Sequence, residues 1–371
     1  MKSLSNLRVA RSSRRKEALT LSPAHSDTLQ NLSLLTSAAA GAGGVFARTF
    51  RALRDLWVLM LAVTISGLAL QMASAAPPIT AETASRPGQI TLKYQGKPVM
   101  VYEFAPYAFK AYVKKLYTLR GDNVLRDSPA DHLHHHALMY GIKVNGVNFW
   151  EEISGSGVQR VVRTAEPVSG TSTDGLPQAV LTQELAWVQA VDAFLPATNA
   201  PSLLNEIRTL TLTIDDKAGE VALHWRSRFT VGTKTNTVVL TGSNYHGLGM
   251  RFLQELDGVA VHISPAGKPD LSNNRQDVTA FPWEAVTFDT PGKPATIAVF
   301  GAPGNARGNP RFFAMRTAFP YLAATQGLDQ EPLVYRAGDT FELNYLVTLY
   351  PEMKTAEALS ERARRFASQT K

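Results

Sequence analysis

The sequence lacks cysteine altogether, so no disulfide bond stabilises the fold and no lipid can be attached through a cysteine. Stability must therefore come from the burial of side chains in a core. The sequence also lacks a phosphate-binding loop. The glycine-containing segment 245–252 has no Gly-Lys-Ser/Thr end and no helical pattern after it. Internal repeats of fixed period and long runs of charge are missing too, which excludes a repeat architecture.

The chain has little net charge outside its amino-terminal region. The formal net charge of the 371 residues is +7. The first 75 residues hold nine of the 38 basic residues and three of the 31 acidic residues. The remainder is therefore close to neutral, and a nucleic-acid partner has no electrostatic support.

The amino-terminal region has the pattern of a secretory signal. Arg48, Arg51 and Arg54 precede an apolar run over residues 56–70, and Ala73-Ser74-Ala75 offers small side chains for cleavage. The run of 15 residues is shorter than the roughly 20 that a spanning helix needs. We therefore predict a signal peptide over residues 1–75, no stable membrane anchor, and a periplasmic or secreted protein.

Alternating apolar residues dominate the rest of the chain. Leu210, Leu212 and Ile214 alternate with threonines, and similar patterns recur between turn signals. This period of two predicts an all-β fold over residues 88–352, a β-sandwich of mainly antiparallel strands. Residues 76–87 are rich in Pro, Ala and Thr and are predicted to form a disordered arm. Residues 353–371 have helical periodicity and predict a short C-terminal helix.

A hairpin is predicted around Asn145-Gly146, because both residues tolerate the positive φ that a tight two-residue turn requires. The turn returns the chain so that Glu151 and Glu152 approach the segment before the hairpin. That segment contains four of the eight histidines, His132, His134, His135 and His136.

The histidine cluster allows several interpretations. In an extended chain His132, His134 and His136 face one way and His135 the other. Imidazoles suit proton transfer near neutral pH, and two at this spacing can also bind a metal ion. A surface loop or a structural corner is the alternative. The spacing indicates no third ligand, so we assign neither a metal nor a cofactor.

The cluster resembles a known family. Asp131-His132-Leu133-His134-His135, followed by residues 145–150, is similar to the Asp-His-Pro-His-His and Asn-Gly-Val/Ile-Asp-Phe-Trp signature of the bacterial PmoA-like family, labelled methane oxygenase PmoA. Segments 206–208 and 245–251 resemble later parts of its pattern, and the resemblance covers about residues 92–352. Leu133, His136, Ala137 and Asn148 depart from the signature.

The resemblance implies a mutarotase-like β-supersandwich and a carbohydrate ligand. The favoured function is an exported enzyme that performs acid/base chemistry on a sugar or modified glycoside. One alternative is a non-catalytic carbohydrate-binding protein, and another is a metal-dependent oxygenase, as the family label implies. The expected partner is a small-molecule or oligosaccharide ligand.

Residues and resemblance together give a predicted site. Glu152 follows an aromatic pair that can raise the pKa of a carboxyl group. Glu206 and Arg208 share a face of one strand, and a simple ion pair between them is the favoured alternative to a role in the site. We expect Glu152 to lie within reach of His134 or His135. The predicted catalytic residues are His132, His134, His135, Glu152 and Glu206, and the predicted substrate-binding residues are Asn145, Trp150, Arg208, His246, Arg251 and Arg316.

Overall fold

The computed structural model of the protein describes residues 78–196, 199–308 and 310–370. They form strands β1 Thr80–Thr83, β2 Gln89–Tyr94, β3 Lys97–Glu103, β4 Tyr112–Leu116, β5 Leu138–Gly141, β6 Lys143–Val144, β7 Val147–Asn148, β8 Val158–Thr164, β9 Val168–Thr171, β10 Pro177–Val188, β11 Ser202–Asp215, β12 Glu220–Val231, β13 Thr237–Thr241, β14 Gly247–Arg251, β15 Ala260–Ile263, β16 Gln276–Ala280, β17 Trp283–Phe288, β18 Ala295–Gly301, β19 Arg311–Met315, β20 Tyr321–Thr325, β21 Leu333–Arg336 and β22 Thr340–Tyr350. Helix α1 spans Ala356–Gln369, and two short 3₁₀ helices span Ala190–Asp192 and Gln254–Leu256.

Two large antiparallel sheets make up the domain. The first has the order β1-β2-β3-β4-β5-β14-β20-β19-β16. The second has the order β15-β17-β18-β22-β12-β11-β10-β8, with β9 paired to β10. A third, small sheet has the order β21-β13-β6-β7. The prediction of an all-β sandwich of mainly antiparallel strands with a C-terminal helix is confirmed.

The main core lies between the two large sheets. Leu248 and Met250 of the first sheet and Leu210 and Leu212 of the second belong to one buried apolar cluster. Along β11 the threonines between the buried leucines are partly exposed, as period-two alternation predicts. The polar contact of Tyr102 with Gln183, 2.8 Å from Oη to Oε1, also joins the two sheets.

Helix α1 covers part of the outer face of the second sheet. Thr355 caps it, because its hydroxyl accepts a hydrogen bond of 3.3 Å from the backbone N–H of Ala358. Leu359, Ala363 and Phe366 are buried at helical spacing against that face. The helix is therefore the predicted one, although it is shorter at both ends than residues 353–371.

The predicted disordered arm differs from the structure in its described part. Thr80–Thr83 form β1, which pairs in antiparallel register with β2. Ile79 is fully buried in the main core, and its burial together with the ladder of backbone hydrogen bonds offsets the entropy of ordering the arm. The predicted signal peptide, residues 1–75, lies outside the described residues. Within the described ranges, no helix is both long enough and apolar enough to cross a membrane.

Candidate functional site

The first sheet has a second buried cluster on the face turned away from the main core. In β20, Leu322 and Ala324 belong to the main core, whereas Tyr321 and Ala323 belong to this separate cluster. Phe313 of β19 and Trp150, from the loop after β7, join them. Alternation along the strands therefore presents an aromatic surface on the outer side of the sheet.

Gly249 in β14 makes room for two of these rings. A Cβ atom at this position would lie 1.8 Å from the hydroxyl oxygen of Tyr321 and 2.7 Å from Trp150. Those distances are far below van der Waals contact, so the packing of both rings requires glycine here. Gly249 belongs to the glycine-containing segment 245–252, and the absence of a side chain there lets the two rings approach the strand closely.

The histidine loop, residues 129–136, covers this aromatic surface. Its backbone is turned, because the N–H of His132 donates to Pro129 and the N–H of His135 donates to His132, each at 2.9 Å. The expected extended geometry, with His132 and His134 on the same side, is therefore corrected. The turn stacks the ring of His132 on that of His135, with centroids 4.6 Å apart, and the ring of His134 meets His135 edge-on at 4.7 Å.

A cavity of about 290 Å³ opens between the loop and the sheet. Its lining combines aromatic rings, imidazoles and a carboxylate: His132, His134, His135, Glu151, Tyr245, Gln276, Phe313, Met315, Phe319 and Tyr321. The volume is close to the lower end of the range of small-molecule pockets, roughly 300–1,000 Å³. Buried polar atoms without a hydrogen-bond partner within the described part of the chain surround it, among them His135 Nδ1, Trp150 Nε1 and the Tyr321 hydroxyl.

Glu152 belongs to a charge network beside the cavity. Its Oε1 lies 2.7 Å from Lys110 Nζ and 2.8 Å from His136 Nε2. On the other side, His136 Nδ1 lies 2.8 Å from Asp127 Oδ1, and the ring stacks on Tyr112 with centroids 4.4 Å apart. The hydrogen-bonded histidine partner of Glu152 is thus His136, and not His134 or His135 as the sequence analysis expected.

Contacts within the network shift the pKa values of Glu152 and His136 so that both charged forms are favoured. Burial alone would raise the pKa of Glu152, but the hydrogen bond from His136 and the charge of Lys110 outweigh it and hold the pKa below its usual value. Burial alone would lower the pKa of His136, and its hydrogen bonds to Asp127 and Glu152 raise it instead. At neutral pH this arrangement favours a carboxylate and an imidazolium held together.

The pKa values of His134 and His135, which line the cavity, are shifted in the opposite direction to that of His136. Burial, with a smaller contribution from His134, lowers the pKa of His135 to about 3. Burial, followed by the charge of Lys110, also lowers the pKa of His134. Both rings are therefore neutral at neutral pH, with nitrogen atoms that can accept or donate hydrogen bonds.

Glu206 and Arg208 do not reach this cavity. They form an ion pair between the sheets, with Arg208 Nε 2.7 Å from Glu206 Oε1 and both side chains at most 1% exposed. The carboxylate also accepts hydrogen bonds from Trp187 Nε1 and from the Ser227 hydroxyl, at 2.8 and 2.6 Å. Their expected place beside the histidines is therefore corrected. The pair lies in the core because the alternation of β11 turns both side chains towards the first sheet, where Arg208 donates to the backbone carbonyl of Ala111 at 2.7 Å.

The remaining predicted ligand-binding residues have other surroundings. Asn145 lies at the tip of the predicted hairpin turn with φ of 50°, and its amide bonds to the backbone of Thr237 and Val239. Trp150 is fully buried and stacks on His246 at 5.0 Å, so neither ring is an open platform for a ligand. Arg316 is exposed in the loop after Met315.

Arg251 lies just behind the cavity wall. Its guanidinium carbon is 3.2 Å from the ring centroid of Phe319, and its NH2 is 3.2 Å from Asp131 Oδ2. The side chain is only 3% exposed. Phe319 therefore separates this predicted ligand-binding arginine from the cavity.

Several residues of the site carried no signal in the sequence analysis. Lys110, Asp127 and the neighbours Phe319 and Tyr321 come from three segments, and the strand order of the first sheet brings the last of these close to the other two. The available hint was a lysine within an aromatic-rich segment, since a buried lysine requires a charged partner. Within the described ranges, no group of three or more His, Asp or Glu side chains has an arrangement that could hold a metal ion.

Fold and cavity together define an all-β sandwich protein with an aromatic-lined cavity on the outer face of one sheet. The chain belongs to the family of unknown function DUF6807, whose model matches residues 89–364. The predicted membership of the PmoA-like family is thereby corrected, because the motifs quoted for it lie in a chain that matches this other family. The oxygenase alternative rested on that label, and the family that the chain matches gives it no support. A comparison with curated protein sequences found no match.

Solved structures with a similar fold were also found. The α-galactosidase AgaB from Geobacillus stearothermophilus matches with 10% identity and a TM-score of 0.44, over 73% of this chain and 41% of that one. The α-galactosidase from Lactobacillus brevis matches with 8% identity and a TM-score of 0.39, over 73% and 39%. A galactose mutarotase related enzyme from Lactobacillus acidophilus matches with 7% identity and a TM-score of 0.23, over 74% and 100%. The chain thus spans about two fifths of the length of these α-galactosidases, and scores this low give no information on activity.

Proposed function

We propose that the cavity binds a sugar unit and that the protein is an enzyme performing acid/base chemistry on it. The observation that carries the proposal is the composition of the cavity, where aromatic rings and hydrogen-bonding groups share one small space. Rings such as Phe313 and Tyr321 pack on the apolar C–H face of a sugar, while imidazole and carboxylate groups bind its hydroxyls. The volume of about 290 Å³ suits a single ring-sized unit.

His134 and Glu151 are the proton-transfer groups in this proposal. Both line the cavity, and Asn148 Nδ2 orients Glu151 by donating a hydrogen bond of 2.9 Å to Oε2. The neutral ring of His134 can take a proton from a hydroxyl or a carbon acid, and the imidazolium formed in this way can return the proton to the leaving atom. The carboxylate of Glu151 can accept a hydrogen bond from the reacting hydroxyl or take its proton in the reverse direction. Glu152 has a supporting role, since its carboxylate is engaged by Lys110 and His136.

The test uses the purified protein and a panel of glycosides and keto-glycosides, with products followed by chromatography. We expect turnover of at least one compound, and a loss of about 10²-fold or more in His134→Ala and Glu151→Gln. Glu331→Gln, at an exposed side chain away from the cavity, is the matched control and should keep full activity. Turnover that survives in both cavity variants would contradict the assignment.

A non-catalytic carbohydrate-binding protein is the second candidate. One observation favours it: several groups of the site are unsuited to proton transfer, because Glu152 is engaged by Lys110 and His136 and burial lowers the pKa of His135 to about 3. Saturable binding of a sugar by calorimetry, without product at long incubation, would support this candidate over the enzyme.

We also propose that the protein is exported and cleaved after Ala75. The support is the order of basic residues, apolar run and small residues in the sequence. Mass spectrometry of the amino terminus, after expression of the full chain, tests the proposal. Full-length protein retained in the cytoplasm would overturn it.

A further inference from the structure

The charge of the cavity wall is unbalanced. Glu151 is the one carboxylate among the lining residues, and neither lysine nor arginine is among them. Glu151 Oε2 accepts a hydrogen bond from Asn148, and no ion pair joins the carboxylate to a described basic residue. A half-buried carboxylate of this kind has unused capacity to accept hydrogen bonds.

Two buried cations behind the cavity wall are already paired with carboxylates. Lys110 is held by Glu152 at 2.7 Å, and its side chain is 1% exposed. Arg251 is paired with Asp131 and is covered by the ring of Phe319. An anionic ligand in the cavity would therefore meet a carboxylate and neither lysine nor arginine among the lining residues, since Arg316, the exposed arginine after Met315, is not one of them. The loss of the ligand's hydration would then be expensive.

The aromatic part of the wall also prefers positive charge. Tyr245, Phe313, Phe319 and Tyr321 all line the cavity, and the faces of such rings attract cations within about 6 Å of the centroid. A carboxylate next to several rings is the combination that holds an ammonium group, because the carboxylate supplies the charge and the rings exclude water.

We infer that the cavity selects a sugar that is uncharged or carries an amino group, binds the amino sugar most tightly, and rejects uronic acids and sugar phosphates. This inference rests on the proposed sugar-binding function and adds the class of sugar. Glu151 is then the residue that determines charge specificity. The ammonium group of the ligand pairs with its carboxylate, against the ring faces.

The first arm of the test needs no sugar. Tetramethylammonium and acetate, at equal ionic strength, are titrated into the wild-type protein while the aromatic resonances of the cavity are followed by NMR. We expect saturable shifts with tetramethylammonium and none with acetate. Equal shifts with both ions, or shifts with acetate alone, would overturn the inference even if a sugar binds.

The second arm compares methyl glycosides of glucose, galactose and mannose with their 2-amino and 6-carboxyl counterparts by calorimetry. We expect the amino form to bind about fivefold to tenfold more tightly than the neutral form, with the acid weakest. Glu151→Gln should abolish the difference between amino and neutral forms, whereas Glu331→Gln should keep it. Acids that bind as tightly as amino sugars would overturn the charge preference while leaving sugar binding intact. If no sugar binds but tetramethylammonium still causes shifts, the proposed sugar-binding function is wrong and the cavity is a cation-binding site.

Discussion

The carboxylate of Glu152 and the imidazole of His136 are joined by a hydrogen bond of 2.8 Å between Oε1 and Nε2. The bond lies in a chain of alternating charges that runs from Lys110 through Glu152 and His136 to Asp127. Because the imidazolium is shared by two carboxylates, the loop that carries the cavity histidines is tied to the segment after the hairpin. The cavity therefore depends on this network for its shape.

Glu152→Gln should destabilise the protein, because it leaves Lys110 and His136 with one carboxylate fewer in a partly buried place. We expect a loss of about 3 kcal/mol in the free energy of unfolding, measured by urea denaturation. Glu184→Gln is the matched control, since it breaks an ion pair with Arg163 of 2.6 Å whose side chains are 39% and 64% exposed. That variant should change stability by less than about 1 kcal/mol. Equal effects of the two variants would refute the structural role of the network.

Glu206→Gln should act through stability. The substitution leaves Arg208 without its charge partner inside the core, which costs about 3–5 kcal/mol. A double variant, Glu206→Gln with Arg208→Met, should lose less than the sum of the single variants, because it removes both charges. Denaturation curves measure this coupling. A Glu206→Gln protein with wild-type stability and no activity would restore Glu206 as a catalytic group.

Gly249→Ala should disturb the aromatic surface beneath the cavity. The new methyl group would overlap the hydroxyl of Tyr321, so the ring or the strand must shift, at a cost of about 1–3 kcal/mol. Gly170→Ala in β9 is the control, because a Cβ there meets no atom within 4 Å. Thermal denaturation of the two variants, side by side, should show a drop for Gly249→Ala alone. A wild-type melting temperature for Gly249→Ala would show that the packing tolerates the methyl group.

Acidification should destabilise the protein through its buried neutral histidines. Burial lowers the pKa of His135 and of His246 to about 3, so each favours the folded state above the unfolded pKa near 6.5. This contribution is lost as the pH falls from about 6.5 towards 3, by at most about 1.4 kcal/mol per pH unit for each group. His246→Gln should reduce the stability difference between pH 7.5 and 5.0 by up to about 2 kcal/mol. An unchanged difference would show that His246 does not titrate in this way.

The contribution of the Glu152 and His136 network to stability also depends on pH. The raised pKa of His136 means that its contribution is complete below its unfolded pKa and is lost as the pH rises through the folded value. The lowered pKa of Glu152 means that its contribution is present above its unfolded pKa and is lost as the pH falls through the folded value. In Glu152→Gln the acid limb of the stability profile should therefore be shallower.

Sequence patterns correctly predicted the features that depend only on neighbouring residues, namely single strands and single turns. The alternation in β11 and the positive φ at Asn145-Gly146 follow from single strands and single turns, and both match the structure. The histidine loop did not follow the expected extended pattern, because its turns are fixed by backbone hydrogen bonds that the side-chain sequence does not reveal. The sequence placed Glu152 near histidines, but it did not predict which ring would bind it.

The cavity could not be predicted from the sequence, because the order of the strands in the sheet brings its residues together. Its strand residues come from β16, β19 and β20. The strand beneath the aromatic rings, β14, lies next to β5 in the sheet although about a hundred residues separate them in the chain. Phe319 and Tyr321 look like ordinary core residues in the sequence, since burial gives them the same apolar character. Only the order of the strands distinguishes the face that packs on the second sheet from the face that lines the cavity.

That division of faces has a consequence for how the pocket can vary. In β14 and β20, Leu248 and Leu322 hold the sandwich together, while their neighbours Gly249 and Tyr321 shape the outer surface. Adjacent residues of these strands thus have separate roles, and substitutions at every second strand position can change the outer surface without altering the layer that keeps the domain folded. A library confined to positions 245, 313, 315, 319 and 321 would explore new specificities within a scaffold whose main core is left unchanged.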